Sequence, residues 1–259
     1  MQRATEFTHV VLQVEPRLDG LFDVVDYEWD PLTLADSWSY LDAFGNVCRR
    51  LTLPPGDSVT RYRALVEVPA EPDASAPDAC ENQPSALPNE ALVFTLPSRF
   101  CPSDELGKAA WQLFGQLEPG WSRVQAINDW VHNEVSFGYG SSVATTTALD
   151  VYATRRGVCR DYAQLAITFC RALGIPARYA FGYLPEIGVT PVDAPMDFCA
   201  WTEVYLGNQW WVFDPRNNER RVGRVLIGRG RDALDVAMVS TFGAVDLRSM
   251  QVWADEVAA

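Results

Sequence analysis

The chain has 259 residues, enough for one large hydrophobic core or two smaller ones. Apolar residues make up 48% of it, with nine Trp, twelve Phe and nine Tyr, which excludes the weakly hydrophobic composition of a disordered chain. A formal charge of −13 would repel a phosphate backbone and argues against nucleic acid as a partner.

The opening run MQRATEFTHVVLQVEP lacks the uninterrupted apolar core of a signal peptide, and nowhere do eighteen apolar residues follow one another. The expectation is a soluble, cytoplasmic protein with no membrane partner, whose six cysteines are thiols. Over residues 7–68 the runs FTHVVLQV, DVVDYEW and VTRYRALVEV alternate or are rich in β-branched and aromatic residues, punctuated by PRLDG, FGN and PPGD. They predict an N-terminal β-sandwich-like domain over residues 1–68. Prolines crowd residues 69–90, which predict a loop or linker, and residues 91–259 form the second domain.

There the period becomes helical. Leu106, Ala110, Leu113 and Leu117 share a face, closed by Pro119-Gly120. A second helix opens with Ser122 as N-cap and Gln125 three residues on, and buries Val124, Ile127, Val131 and Val135. His132 falls off that face and reads as solvated, and His9 lies unremarkably in a β-rich run.

The run GVCRDYAQLAITFCRALGIPARYAFGY, residues 157–183, carries the chemistry. Leu165, Ala166, Phe169 and Leu173 recur at helical spacing, and Gly174 and Pro176 end the pattern, so a helix begins just after Gly157. Cys159 falls in its first turn, where unsatisfied amides and the helix dipole favour a thiolate and could hold an oxyanion. Cys170, deeper in the helix, reads as a small buried hydrophobe. Further on, FCAWTEVYLGNQWWVFDP reads as a hairpin turning at Gly207-Asn208, in which Trp201 faces Asp214 and Cys199 is the diagonal neighbour of Asp214. Trp201 and Arg160 are candidates for the substrate side. Arginines 216, 220, 221, 224, 229 and 231 read as a solvated or salt-bridging segment.

GVCRDYA, followed by DFCAWTEVYL and WWVFDP, resembles the bacterial transglutaminase-like superfamily, and the leading β region is similar to members that carry one. The resemblance implies an α+β, papain-like, transglutaminase-type domain with a cysteine at a helix start and histidine and aspartate on successive strands. Carried across, Cys159 is the nucleophile and Asp214 the orienting acid, while Cys199 stands at the histidine position. Gln164 also stands where related sequences often have histidine.

A thiol does not replace imidazole as a base, because its ordinary pKa of about 8.5 lies too high at neutral pH. Four readings stay open. One is an impaired acyltransferase that acts as a binding module, a pseudoenzyme with a peptide or protein ligand. Another is an active cysteine amidohydrolase, protease or acyltransferase working through Cys159. The third is a zinc or softer transition-metal site on Cys159, Cys199 and Asp214, a cofactor the family does not require. The fourth is a regulatory Cys159–Cys199 disulfide.

Overall fold

A computed structural model describes residues 1–30, 37–191 and 195–257. In the first quarter the strands are β1 (Gln2–Ala4), β2 (Thr8–Leu12), β3 (Asp23–Trp29), β4 (Trp38–Leu41), β5 (Val47–Leu53), β6 (Gly56–Ser58) and β7 (Tyr62–Glu67). In β2, Thr8, Val10 and Leu12 are buried and His9 is exposed, the period of two expected of a strand packed on one face. The helices are α1 (Asn89–Leu92), α2 (Gly107–Phe114), α3 (Trp121–Glu134), α4 (Ala148–Thr154) and α5 (Cys159–Ala172). Between and beyond them run β8 (Ser136–Phe137), β9 (Arg156–Gly157), β10 (Ala177–Tyr183), β11 (Cys199–Leu206), β12 (Gln209–Phe213), β13 (Val225–Gly230), β14 (Val239–Thr241) and β15 (Val245–Leu247).

The α5 helix is buried at every position from Asp161 to Arg171. A helix apolar on one face only would not need this. Here α2, α3 and α4 pack on one side and the antiparallel sheet β12-β11-β10-β13 on the other, with Leu165, Ile167 and Phe169 fully buried between them. The β11–β12 hairpin turns at Gly207 and Asn208, both with positive φ (56° and 69°), the geometry whose twist matches paired strands. Its pairs run from Leu206↔Gln209 to Thr202↔Phe213, the register expected from the sequence.

Two readings change. The buried face of α2 is Leu106, Ala110 and Phe114, whereas Leu113 and Leu117 are each 39% exposed; Phe114 wins the core position by meeting Trp130 and Phe169 edge to face. Ser122 does not cap α3, which starts at Trp121 after Gly120 (φ 124°). The proline-rich segment caps it instead: the amide of Gly120 donates to Glu81 Oε1 (3.0 Å) and that of Trp121 to the carbonyl of Ala79 (2.9 Å). The loop or linker expected over residues 69–90 thus acts as a strap, bound through Ala79 and Glu81 to the start of α3.

The end of the chain returns to the first strands. β14 pairs with β2 and β15 with β1, so the sheets β15-β1-β6 and β14-β2-β5-β4 of the N-terminal β region are completed by the tail of the chain. With the β3-β7 ribbon they surround a core of Ala4, Val10, Leu12, Trp29, Leu51 and Leu53, which Val239 and Val245 join. Strands of three residues carry no legible period, so this pairing of the last strands with β1 and β2 has no sign in the sequence. Among the described residues, no helix is long and apolar enough to cross a membrane.

Candidate cysteine site

Cys159 is the first residue of α5. The strand-to-helix turn before it is tight: a Cβ on Gly157 would lie 2.7 Å from that of Asp161, so this position admits no side chain without a shift. Asp161, fully buried, accepts the amide of Val158 (2.8 Å) and so closes the helix start from within. Cys159 is half-buried, and its thiol is directed to the carbonyl oxygen of Phe198, 3.7 Å away. The two thiols of Cys159 and Cys199 share a hydrogen bond, and the amide of Ala200 also points at Cys159 Sγ.

These contacts divide the two thiols. The hydrogen bond from Cys199 holds the Cys159 pKa below the ordinary thiol range; burial opposes this, the Ala200 amide supports it, and the carboxylates of Asp197 and Asp214 push weakly the other way. Cys199 goes in the opposite direction, well above an ordinary thiol, because its proton is shared with Cys159 and because it is buried near Asp214. Cys159 is thus the more readily ionised thiol of the pair, and the Cys199 thiol, directed also to the carbonyl of Ala200 (3.7 Å), the one that keeps its proton longer.

Asp214 follows β12 and is 4% exposed. Its Oδ1 accepts the amides of Arg216 (3.1 Å) and Asn217 (2.9 Å), and its Oδ2 accepts Asn217 Nδ2 (2.8 Å) and Arg224 Nη2 (2.7 Å). Arg224 in turn reaches Asp73 of the strap (2.7 Å) and lies over the ring of Trp201, 4.9 Å from its centroid. Asn217 Nδ2 stands 4.0 Å from Cys199 Sγ. A continuous polar path therefore runs from Cys159 through Cys199, Asn217, Asp214 and Arg224 to Asp73.

Cys159, Cys199 and Asp214 are brought together, with Asn217 filling the gap that a cysteine leaves beside Asp214. Trp201 is not on a cleft wall. It is 1% exposed, because strand alternation sends Thr202 toward α5, where its hydroxyl donates to Ala163 O, and Trp201 to the opposite face with Ala180 and Leu226. Arg160 ties down the loop before α4, donating to Ser142 Oγ (2.6 Å) and Val143 O (2.9 Å) as well as to Asp161. The metal alternative lacks its ligand geometry: among the described residues no three His, Cys, Asp or Glu side chains form a metal-holding group, and both oxygens of Asp214 are already engaged.

Sequence reasoning missed Asn217 and Arg224. The first had a signal, since Asp214-Pro215 with Asn217 just beyond favours a turn closed on the aspartate side chain; the second was one of six arginines irregularly spaced between 216 and 231. The pairing expected of that segment is observed in Arg224 with Asp73 and Asp214, Arg229 with Glu203 and Arg231 with Asp235. His132 is half-buried rather than solvated, its Nδ1 donating toward the carbonyls of Pro215 and Arg216 (3.3 and 3.2 Å) just past Asp214. Gln164 is fully buried and accepts the amide of Ala233 (3.4 Å).

A central helix opening on a half-buried cysteine, laid on an antiparallel sheet whose hairpin ends in a buried aspartate, defines a cysteine-site protein of papain-like type. Residues 109–215, from α2 to just past Asp214, match the model of the transglutaminase-like superfamily, and the chain belongs to that superfamily. The crystal structure of a provisionally assigned cysteine protease from Cytophaga hutchinsonii superposes with a TM-score of 0.81 at 31% identity, over 98% of this chain and 91% of that one. An uncharacterized protein of Mycobacterium leprae is 26% identical over 245 residues, 91% of this chain and 88% of its own length. One from Mycobacterium tuberculosis strain H37Rv is 35% identical over 170 residues, and the match spans only 52% of that relative.

Proposed function

We propose that this protein binds a peptide or protein chain in its transglutaminase-like cleft, and that Cys159 can accept an acyl group while the site is impaired toward amides. The observation that carries this reading is the division of the two thiols, with Cys159 held below and Cys199 well above the ordinary pKa. A thiol that ionises more readily than an ordinary one can attack a carbonyl without a dedicated base, and the first-turn amides of α5 offer donors to the developing oxyanion. Expulsion of an amine, by contrast, needs a proton. A thiol whose pKa stands far above neutrality is a poor donor, and while protonated it is no base for the water that would resolve an acyl-enzyme. Thioesters and aryl esters avoid the first requirement, because their leaving groups depart as weakly basic anions.

A peptide thioester and the matching peptide nitroanilide, each mixed with reduced protein, test this. The expected result is one equivalent of thiol released rapidly, an acyl mass on Cys159, and no nitroaniline; Cys199→His then gains nitroaniline release. Anilide turnover by the unaltered protein, unimproved by the histidine, overturns the reading. It would favour instead an active cysteine amidohydrolase, the reading supported by 31% identity to the Cytophaga protein.

A further inference from the structure

The proton shared between Cys159 and Cys199 leaves a feature that acyl transfer does not use. Cys159 Sγ lies 3.7 Å from the carbonyl of Phe198, the peptide group that leads into Cys199, and the Cys199 thiol and the Ala200 amide are near enough to act on its charge. A bridge needs the two Cβ atoms a few ångströms apart, and a sulfur in contact with the peptide group that leads into Cys199 places Cys159 beside that cysteine. Both residues are half-buried and so open to a small reagent. The remaining thiols do not compete from the interior: Cys48, Cys101 and Cys170 are at most 1% exposed, and burial raises the pKa of all three, that of Cys101 to about 12. Cys80 is exposed, but it lies on the strap, where its S–H is directed to Asp78 O.

We infer that Cys159 and Cys199 form a hydroperoxide-responsive pair, in which Cys159 is oxidised first and Cys199 resolves it as a reversible intramolecular disulfide. In the first step the Cys159 thiolate attacks the terminal peroxide oxygen; an S–O bond forms, the O–O bond breaks, and the alkoxide or hydroxide leaves and takes up a proton. In the second, the Cys199 sulfur attacks the sulfenic sulfur; the S–S bond forms, the S–O bond breaks, and hydroxide leaves with the Cys199 proton as water. Two electrons pass from the two sulfurs to one hydroperoxide, and a dithiol reductant returns them. In this state Cys159 cannot be acylated. The residue that weakens amide chemistry is then the one that protects the nucleophile from irreversible oxidation. The inference does not depend on acyl chemistry taking place.

Fully reduced protein treated with one equivalent of hydrogen peroxide, digested without reductant and read by peptide mass spectrometry, tests it. The expected product is a linked pair of peptides carrying Cys159 and Cys199, abolished by dithiothreitol, with alkylation of Cys159 lost and regained in step. Cys199→Ser should instead leave Cys159 as a sulfenic acid that dimedone traps and excess peroxide carries to the sulfinic acid. Oxidation of wild-type Cys159 to sulfenic or sulfinic acid with Cys199 still free, or a link from Cys159 to Cys80, overturns the inference. The wild-type map decides the matter even if the serine variant does not fold. Thioester acylation of the same reduced sample separates failure here from failure of the acyl reading.

Discussion

At the scale of single residues, two consequences can be measured. Because hydrogen bonding with Cys199 lowers the Cys159 pKa, alkylation of Cys159 should reach half its maximal rate below the ordinary thiol value of about 8.5. Cys199→Ala removes that hydrogen bond and should move that midpoint upward, read from iodoacetamide rates against pH with the labelled peptide identified by mass. Arg224 is the second case. Its side chain is 7% exposed between Asp214 (1%) and Asp73 (11%), so Arg224→Met leaves two carboxylates facing each other with little solvent. Breaking a buried ion pair by removing one partner costs roughly 3–5 kcal/mol, and urea unfolding should show a loss of that order, with a smaller one for Arg224→Lys. The nucleophile position itself was legible in the sequence, since Gly157 and the helical spacing after it locate a helix start. What touches its sulfur was not, because Phe198 and Ala200 lie some forty residues along the chain.

Among the elements, α3 shows how far a local signal can mislead. Ser122 and Gln125 match a capping box, yet Ser122 Oγ donates to Glu118 O (3.2 Å) and the helix start is satisfied by the strap. Glu81 accepts the Gly120 amide and pairs with Arg123 (3.1 Å), with side chains only 19% and 7% exposed. Glu81→Ala should therefore cost about 1–2 kcal/mol by chemical denaturation, the range of a lost helix cap, whereas Ser122→Ala should cost much less. The β11–β12 hairpin is the opposite case. Its two turn residues demand positive φ, Gly and Asn meet that demand, and the register follows over five pairs without any tertiary help.

For the whole molecule, the β region and the papain-like region are joined by polar as well as apolar contacts. Asn46 is fully buried: its Nδ2 donates to the carbonyl of Arg229 (2.8 Å) and its Oδ1 accepts the Arg229 amide (2.8 Å), so it closes the edge of β13 as a strand would. Glu203, 4% exposed, accepts both Arg178 and Arg229, and Arg229 also reaches Asp19 of the β region (3.3 Å). Asn46→Ala orphans two backbone groups on β13, each worth roughly 1–3 kcal/mol when left buried without a partner. The expected outcome is a clear fall in unfolding midpoint, together with faster hydrogen exchange at Arg229 and its strand neighbours.

The sequence alone determined the features that depend on near neighbours: the helix opening on Cys159, the burial period of β2, the hairpin register and the arginines' need for partners. These follow from spacing and backbone preference, which neighbouring residues carry in full. Only the tertiary structure decided that β14 and β15 complete the N-terminal sheets, that residues 69–90 cap α3, that Trp201 backs Arg224 rather than a cleft, and that Asn217 and Arg224 occupy Asp214. Each of these joins residues distant in the chain or pairs one arginine among several with one carboxylate among many. No period encodes that choice; it is made by which groups are buried together and must then satisfy one another.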